Sequence, residues 1–299
     1  METQGPPKRW YRKRRYQFLL IVLAALLVIS FLPALFPVTL TPAQVKLNRT
    51  IDYFANNYDE KTGLIPSTPR SSTYWLYSDN YLAVLAISRY DVTNQSTAGF
   101  ASSLNVAFNG YAATLPSSLA ESQYTAMNST TASFGCVSDY VLSWSSRGLT
   151  AQGNSSAVLM TAANNQGPSC TSQNSADLLF LQALYYHRLG DSNASSAYYN
   201  LGAADFNGKG LSDNGFNGTL YQTYKLALYV YASSCLGHAS GTGFSTANST
   251  LWSLQDESTG GFYSGYNSSL SPSGTTVSTQ ATALAALALE QLAKPSTSC

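Results

Sequence analysis

Two kinds of apolar run stand out against a polar background. The first occurs once: FLLIVLAALLVISFLPALFP, residues 18–37, is twenty residues long and holds no ionisable group. A helix crossing a hydrocarbon core of roughly 30 Å needs about 20 such residues, so the run predicts a transmembrane helix. The second kind recurs in four copies, each a Gly-containing turn and polar loop leading into a helix that begins polar and becomes apolar all round. YDEKTGLIPSTPRSST leads into YWLYSDNYLAVLAISRY over 58–90, and NNQGPSCTSQNS into ADLLFLQALYYHRL over 164–189. FNGKGLSDNGFNGT leads into LYQTYKLALYVYASS, and DESTGGFYSGYNSSLSPSGTTVS into TQATALAALALEQL.

A helix apolar on every side is buried on every side. In the first copy Leu82, Val84, Leu85 and Ile87 leave no solvent face beyond the helix ends. Helices at 42–57, 192–204 and 245–254 carry more polar residues and suit an outer layer. Between 109 and 167 the pattern weakens: Val137, Tyr140, Val141, Leu142 and Trp144 suggest a short strand or hairpin inside Ser/Thr/Asn-rich loop, in a position to cover one end of the helices.

Charge fixes the orientation. Lys8, Arg9, Arg12, Lys13, Arg14 and Arg15 precede the apolar run, and such an excess of cations retains its flank in the cytoplasm. The expected organisation is a cytoplasmic basic segment 1–16, a transmembrane signal anchor 17–38 and one extracytoplasmic domain 39–299. The protein is then single-pass in the cell membrane, with the lipid bilayer as partner of 18–37. Pro33 and Pro37 favour the alternative of a shorter helix ending near Ser30, of signal-peptide length. Either outcome exports the rest of the chain.

Removing the six N-terminal cations and Glu2 leaves ten basic residues against fourteen acidic ones. The remaining cations are scattered singly, without the basic patch that marks a nucleic-acid partner. Charged residues make up 10% of the chain, well below the usual quarter, so solubility falls to neutral polar groups or to sugars. Asn-x-Ser/Thr acceptors begin at Asn48, Asn94, Asn128, Asn154, Asn193, Asn217, Asn248 and Asn267. Cys136, Cys170, Cys235 and Cys299 allow two disulfides in three pairings, of which Cys136–Cys170 with Cys235–Cys299 is favoured. No cysteine spacing fits a metal site, only His187 and His238 are available, and no motif asks for a cofactor.

Alternating inner and outer helices joined by Gly-rich loops suggest an α/α toroid, complete or truncated, in an all-α domain with short β hairpins. LWSLQDESTGGFYSGYN followed by STQATALAALALEQL resembles the loop-then-inner-helix unit of the α/α-toroid superfamily, shared by six-hairpin glycosidases and the terpenoid cyclase and prenyltransferase group. TYWLYSDNYLAVLAI resembles the inner-helix start of the same architecture, and also the pattern of membrane-anchored archaeal surface proteins. The likeness implies a mouth where the inner-helix N-termini converge. Residues there are Trp75, Tyr77, Asp79 and Asn80, then Asn174 and Asp177, then Tyr221, Gln222 and Lys225, then Thr279 and Gln280, with Phe262, Tyr263 and Tyr266 from the last loop.

Aromatic rings beside amides and carboxylates suit stacking on sugar faces with hydrogen bonds to hydroxyls. A glycoside hydrolase needs two carboxylates flanking the bond; Asp79 and Asp177 are the candidate pair, with Asp139, Asp213 and Glu121 in reserve. The plainer reading is that each acid sits in a first helical turn, offsetting the macrodipole by about 0.3–1 kcal/mol. Trp75 and Tyr77 likewise suit core packing. Lys225 lies in an apolar helix and needs a partner, best supplied by an inner carboxylate. No G-x-S-x-G elbow and no aspartate-rich cyclase motif appears. Three functions remain: a non-catalytic surface module binding glycans or envelope proteins, a carbohydrate-active enzyme, or an accessory subunit of a membrane complex.

Overall fold

The structure is a computed structural model. It describes residues 41–69, 71, 74–91, 98–113, 123–130, 134, 136–143, 157–164, 175–213, 216, 218–274, 276–293 and 299, together with Phe18, Val22 and Leu23. The chain forms two compact units, Met1–Pro42 and Ala43–Cys299. In the first, Phe18, Val22 and Leu23 are helical and exposed; the rest of the predicted span and the basic segment lie outside the described residues. Among the described residues no helix is long and apolar enough to cross a membrane.

The second unit is all-α with short β elements. Its α-helices are α1 (Pro42–Asn56), α2 (Tyr77–Asp91), α3 (Ala98–Ala112), α4 (Ala176–Arg188), α5 (Ser192–Ala204), α6 (Thr223–Cys235), α7 (Gly241–Ser253) and α8 (Thr279–Ala293). The four helices that the pattern marks as apolar all round, α2, α4, α6 and α8, form an inner layer. They pack in the order α4, α6, α8, α2, and a 3-10 segment at Gln123–Met127 touches both α4 and α2. In α8 every residue from Ala281 to Leu289 is at most 1% exposed. Its alanines let α6 and α2 approach closely, while its buried leucines each stabilise the fold by roughly 1.5–3 kcal/mol.

Outer helices bury one stripe only. In α5 the buried residues are Ser195, Tyr199 and Gly202. Gly202 lets the two helices approach, because a Cβ would stand 2.9 Å from the Phe180 ring of α4 and force that ring to shift. α1 and α5 match the predicted bounds closely, and α7 begins at Gly241 rather than 245. The helix α3 is unannounced by the pattern, since its polar and small residues resemble the surrounding loops.

Four turns share one construction, the fourth at Asn267 with the Tyr266–Pro272 bridge, and three of them close on a buried apolar residue. In these three Asp59, Asn207 and Asp256 each accept a backbone N–H two residues on through Oδ1, from Lys61, Lys209 and Ser258. Each of the three closes on a short bridge, Asp59 with Leu64, Phe206 with Leu211 and Gln255 with Phe262. The last residue of each of these bridges is buried, with Leu64 at 2%, Leu211 at 4% and Phe262 at 0% exposure. Gly260 at φ +79° shows why glycine is required: a Cβ would lie 2.0 Å from the Arg49 carbonyl oxygen.

Strand pairs lead the chain into the inner helices. β1 (Tyr74–Leu76) runs directly into α2, β4 (Tyr221–Gln222) into α6 and β7 (Val277–Ser278) into α8, with β4 paired to β6 (Gly265–Tyr266) and β7 to β5 (Phe262–Tyr263). In the weakly patterned middle, β2 (Cys136–Ser143) forms an antiparallel hairpin with β3 (Ala157–Asn164), and β3 pairs in parallel with β1. The predicted strand therefore exists at Cys136–Ser143, its partner lies in a stretch read as loop, and Trp144 is outside the described residues. Cys235 is bonded to Cys299, 64 residues on; Cys170 lies outside the described residues.

Candidate functional site

The inner helices run parallel, and contacts among their first turns bring the N-termini to one end. The start of α8 is fixed to the loop before β1: Thr279 N–H donates to the Ser67 carbonyl at 3.0 Å and its hydroxyl to the Pro66 carbonyl at 2.6 Å. Tyr53 of α1 reaches the same hydroxyl at 3.1 Å. Beside them Asp79, in the first turn of α2, is only 1% exposed. Burial pushes its carboxyl up to about 7, against the pull of the Ser67 and Ser78 hydroxyls, which favour the charged form. Asp79 Oδ1 has no hydrogen-bond partner. The Tyr53 phenol is pushed up to about 12, chiefly by burial and further by the Asp79 charge.

A second group lies at the starts of α4 and α6. Lys225 Nζ donates to Asp213 Oδ2 at 2.6 Å and stands 3.9 Å from Asp177 Oδ1, all three side chains being at most 10% exposed. Asp213 Oδ2 also accepts the Ala176 N–H at 2.9 Å, so it caps α4 from a distant loop. Asp177 accepts from Ser175 Oγ, and from Tyr224 OH at 3.5 Å. Burial raises the Tyr224 phenol far above its ordinary value, and the Asp177 charge adds to that. The Asp205 carboxyl is raised by burial and then by its neighbour Asp213. Gln280 of α8 donates to Tyr124 OH at 2.7 Å, which ties the 3-10 segment to this end.

Among the described residues these contacts fall into two sets, one at the starts of α2 and α8 and one at the starts of α4 and α6. Asp79 belongs with Ser67, Ser78, Tyr53 and Thr279; Asp177 belongs with Ser175, Tyr224, Lys225 and Asp213. Asn80 is committed to the backbone, accepting from Ile65 N–H and donating to the Ile65 and Leu76 carbonyls. Trp75 and Tyr77 are buried, and Tyr77 packs on Phe108 at 4.9 Å. Phe262 and Tyr266 are fully buried, Tyr266 stacked 5.3 Å from Tyr221 and donating to the Lys209 carbonyl. Tyr263, Gln222 and Gln280 are half-buried.

Acceptor asparagines are unequal. Asn128 and Asn193 are exposed, whereas Asn48, Asn248 and Asn267 are half-buried. Asn48 Oδ1 accepts from Tyr90 OH, and Asn267 Oδ1 accepts from two backbone N–H groups of its own turn. Asn94, Asn154, Asn217, Asn174 and Glu121 lie outside the described residues, as do the side chains of Cys136 and Asp139. Sequence reasoning missed Ser67, Tyr53 and Tyr124, which reach the site from loops and from α1. Tyr53 and Thr279 are 226 positions apart, and no local pattern carries such a pairing. For Asp213 a signal existed: a lone lysine in an apolar helix demands an acid.

Chemically, the arrangement offers a buried carboxyl raised to about 7 at Asp79 and an ion-paired carboxyl at Asp177. No family model, curated protein or solved structure matches this chain.

Proposed function

We propose that the chain is a non-catalytic, membrane-anchored extracytoplasmic module, built as a truncated α/α toroid, that binds glycans or neighbouring envelope proteins. One observation carries the reading against an enzyme: both candidate acids are closed off, Asp79 at 1% exposure and Asp177 at 7%, the latter held by Lys225, Tyr224 and Ser175. Bond cleavage needs both carboxyls at the faces of a bound sugar. The parallel inner layer and the 3-10 segment touching α4 and α2 support the toroid. The six cations ahead of residues 18–37 support the anchor and its orientation.

The hydrolase alternative keeps one supporting feature, a carboxyl raised to about 7 at the same helix ends as an ion-paired one, since such divergence separates acid from base. Glycan-array binding by residues 41–299, repeated with Asp79→Asn and Asp177→Asn and followed by product analysis, separates the two. The module reading expects intact sugars or none bound, with Asp79→Asn unchanged. Cleavage that either substitution abolishes overturns it.

A further inference from the structure

Beside the last turn of α4, a depression of about 340 Å³ opens to solvent, lined by Asn128, Ser129, Thr130, His187, Arg188 and Cys299. Arg188 is the last residue of α4, whereas Asp177 is near its beginning, so this site is separate from the charge network above. Its chemistry is rich in donors. Arg188 Nη2 donates to the Met127 carbonyl, which uses one of five guanidinium N–H groups. Asn128 Oδ1 accepts from Tyr81 OH at 2.5 Å, so the Asn128 acceptor is occupied and its Nδ2 donors remain. His187 is exposed on the rim.

Among the described residues no carboxylate acts on the Arg188 guanidinium, whereas the buried Glu290 acts on the Tyr231 phenol that Arg89 bonds. Arg89 Nη1 donates to Tyr231 OH at 2.8 Å, with the guanidinium 5.6 Å from that ring. Among the described residues, both ion pairs are made by Lys225, and neither Arg89 nor Arg188 has a carboxylate at ion-pair distance. Burial lowers the Arg188 pKa, the Tyr231 and Tyr81 phenols oppose that, and Arg89 adds like-charge repulsion. Arg188, with guanidinium N–H groups beyond its Met127 bond and no carboxylate at ion-pair distance among the described residues, points to a missing anion.

We propose that this depression binds an oxyanion, the carboxylate, phosphate or sulfate group of a small ligand, with Arg188 as its anchor. His187, Thr130 and Asn128 Nδ2 supply further donors. A planar guanidinium matches a planar or tetrahedral oxyanion through two parallel hydrogen bonds. The inference stands apart from the question of catalysis.

The test is calorimetric titration of the full chain in detergent micelles at low ionic strength, made without N-glycosylation so that Asn128 is bare. The probes are galacturonate, inorganic phosphate, inorganic sulfate and neutral galactose. The expected result is saturable binding of at least one anion and none of galactose. Arg188→Lys weakens it about tenfold, because an ammonium loses the paired geometry. Tightest binding of galacturonate identifies an acidic sugar as the source, and tightest binding of phosphate or sulfate identifies a free or esterified inorganic anion. No saturable anion binding, or equal binding of galactose and galacturonate, overturns the proposal. Unchanged affinity in Arg188→Lys that keeps its circular dichroism does the same. Should that variant unfold, exposed His187→Gln decides: about threefold weakening supports the site, and unchanged affinity overturns it.

Discussion

Asp79 and Asp177 occupy the first turns of two parallel inner helices, yet their surroundings treat charge in opposite ways. Asp177 lies beside Lys225, which also holds Asp213 at 2.6 Å, so a buried cation compensates buried carboxylates. Asp79 has serine hydroxyls nearby but an unpartnered Oδ1 and no cation at ion-pair distance among the described residues, and burial pushes its carboxyl up to about 7. A buried carboxylate is kept charged by a partner or made neutral by a proton, and this domain uses both solutions at one end. The first holds a loop to two helices; the second makes stability depend on pH.

The largest expected break is at the compensated acid. Lys225→Met leaves Asp177 and Asp213 buried without their cation, and removing one partner of a buried pair costs about 3–5 kcal/mol. Chemical denaturation at pH 7 should show that loss. A loss below about 1 kcal/mol would mean that water already reaches the carboxylates and that Lys225 contributes little.

Asp79 should behave in the reverse sense. Its folded-state value is raised from 3.8 to about 7, so the folded chain retains a proton that the unfolded chain releases. The associated stability is fully present below about pH 4 and is lost as pH rises through 7. The loss reaches up to about 4 kcal/mol, at 1.36 kcal/mol per unit. Asp79→Asn removes that dependence: the variant should gain on the wild type steadily between pH 4 and pH 7 and be the more stable at pH 8. A flat difference across the range would show that Asp79 is ionised at little cost.

Much of this contrast was legible before the fold. The inner helices announce themselves because burial on every side removes polar residues from every side, and Lys225 is conspicuous for the same reason. The acids of the first turns are visible as first-turn acids. Their different surroundings are not, because Ser67 and Asp213 come from loops whose composition resembles every other loop in the chain. α3 was hidden by the same sameness: AGFASSLNVAFNGYA buries Leu104, Phe108 and Tyr111, too few positions to stand out among Ser, Asn and Ala. The aromatic residues misled in a particular way. The sequence places Trp75 beside a helix start and Phe262 and Tyr266 in the last loop, but only packing shows that their faces are taken.

Packing supplies the next expected effect. Gly202→Ala puts a methyl group 2.9 Å from Phe180 Cε1, with Leu179 Cβ at 3.2 Å. Overpacking of this kind costs about 1–3 kcal/mol. Gly202 lies on α5 and packs against α4, the helix that carries Asp177. A destabilisation that leaves the pH dependence from Asp79 intact would show that the two acids belong to independent parts of one core; a changed pH dependence would couple them.

The smallest effect is the finest probe of the Asp177 environment. Tyr224→Phe deletes the 3.5 Å hydrogen bond to Asp177 Oδ2 while keeping the ring beside Lys225, whose Nζ is 6.0 Å from its centroid. A long bond of this kind belongs at the bottom of the usual range, about 0.5 kcal/mol, because Lys225 and Ser175 still satisfy the carboxylate. A thermal shift of that size at pH 7 would place the compensation of Asp177 in its ion pair. A loss near the Lys225→Met value would instead make the Tyr224 hydroxyl the principal partner, and the division between a cation-compensated and an uncompensated acid would give way to two acids held mainly by hydroxyl groups.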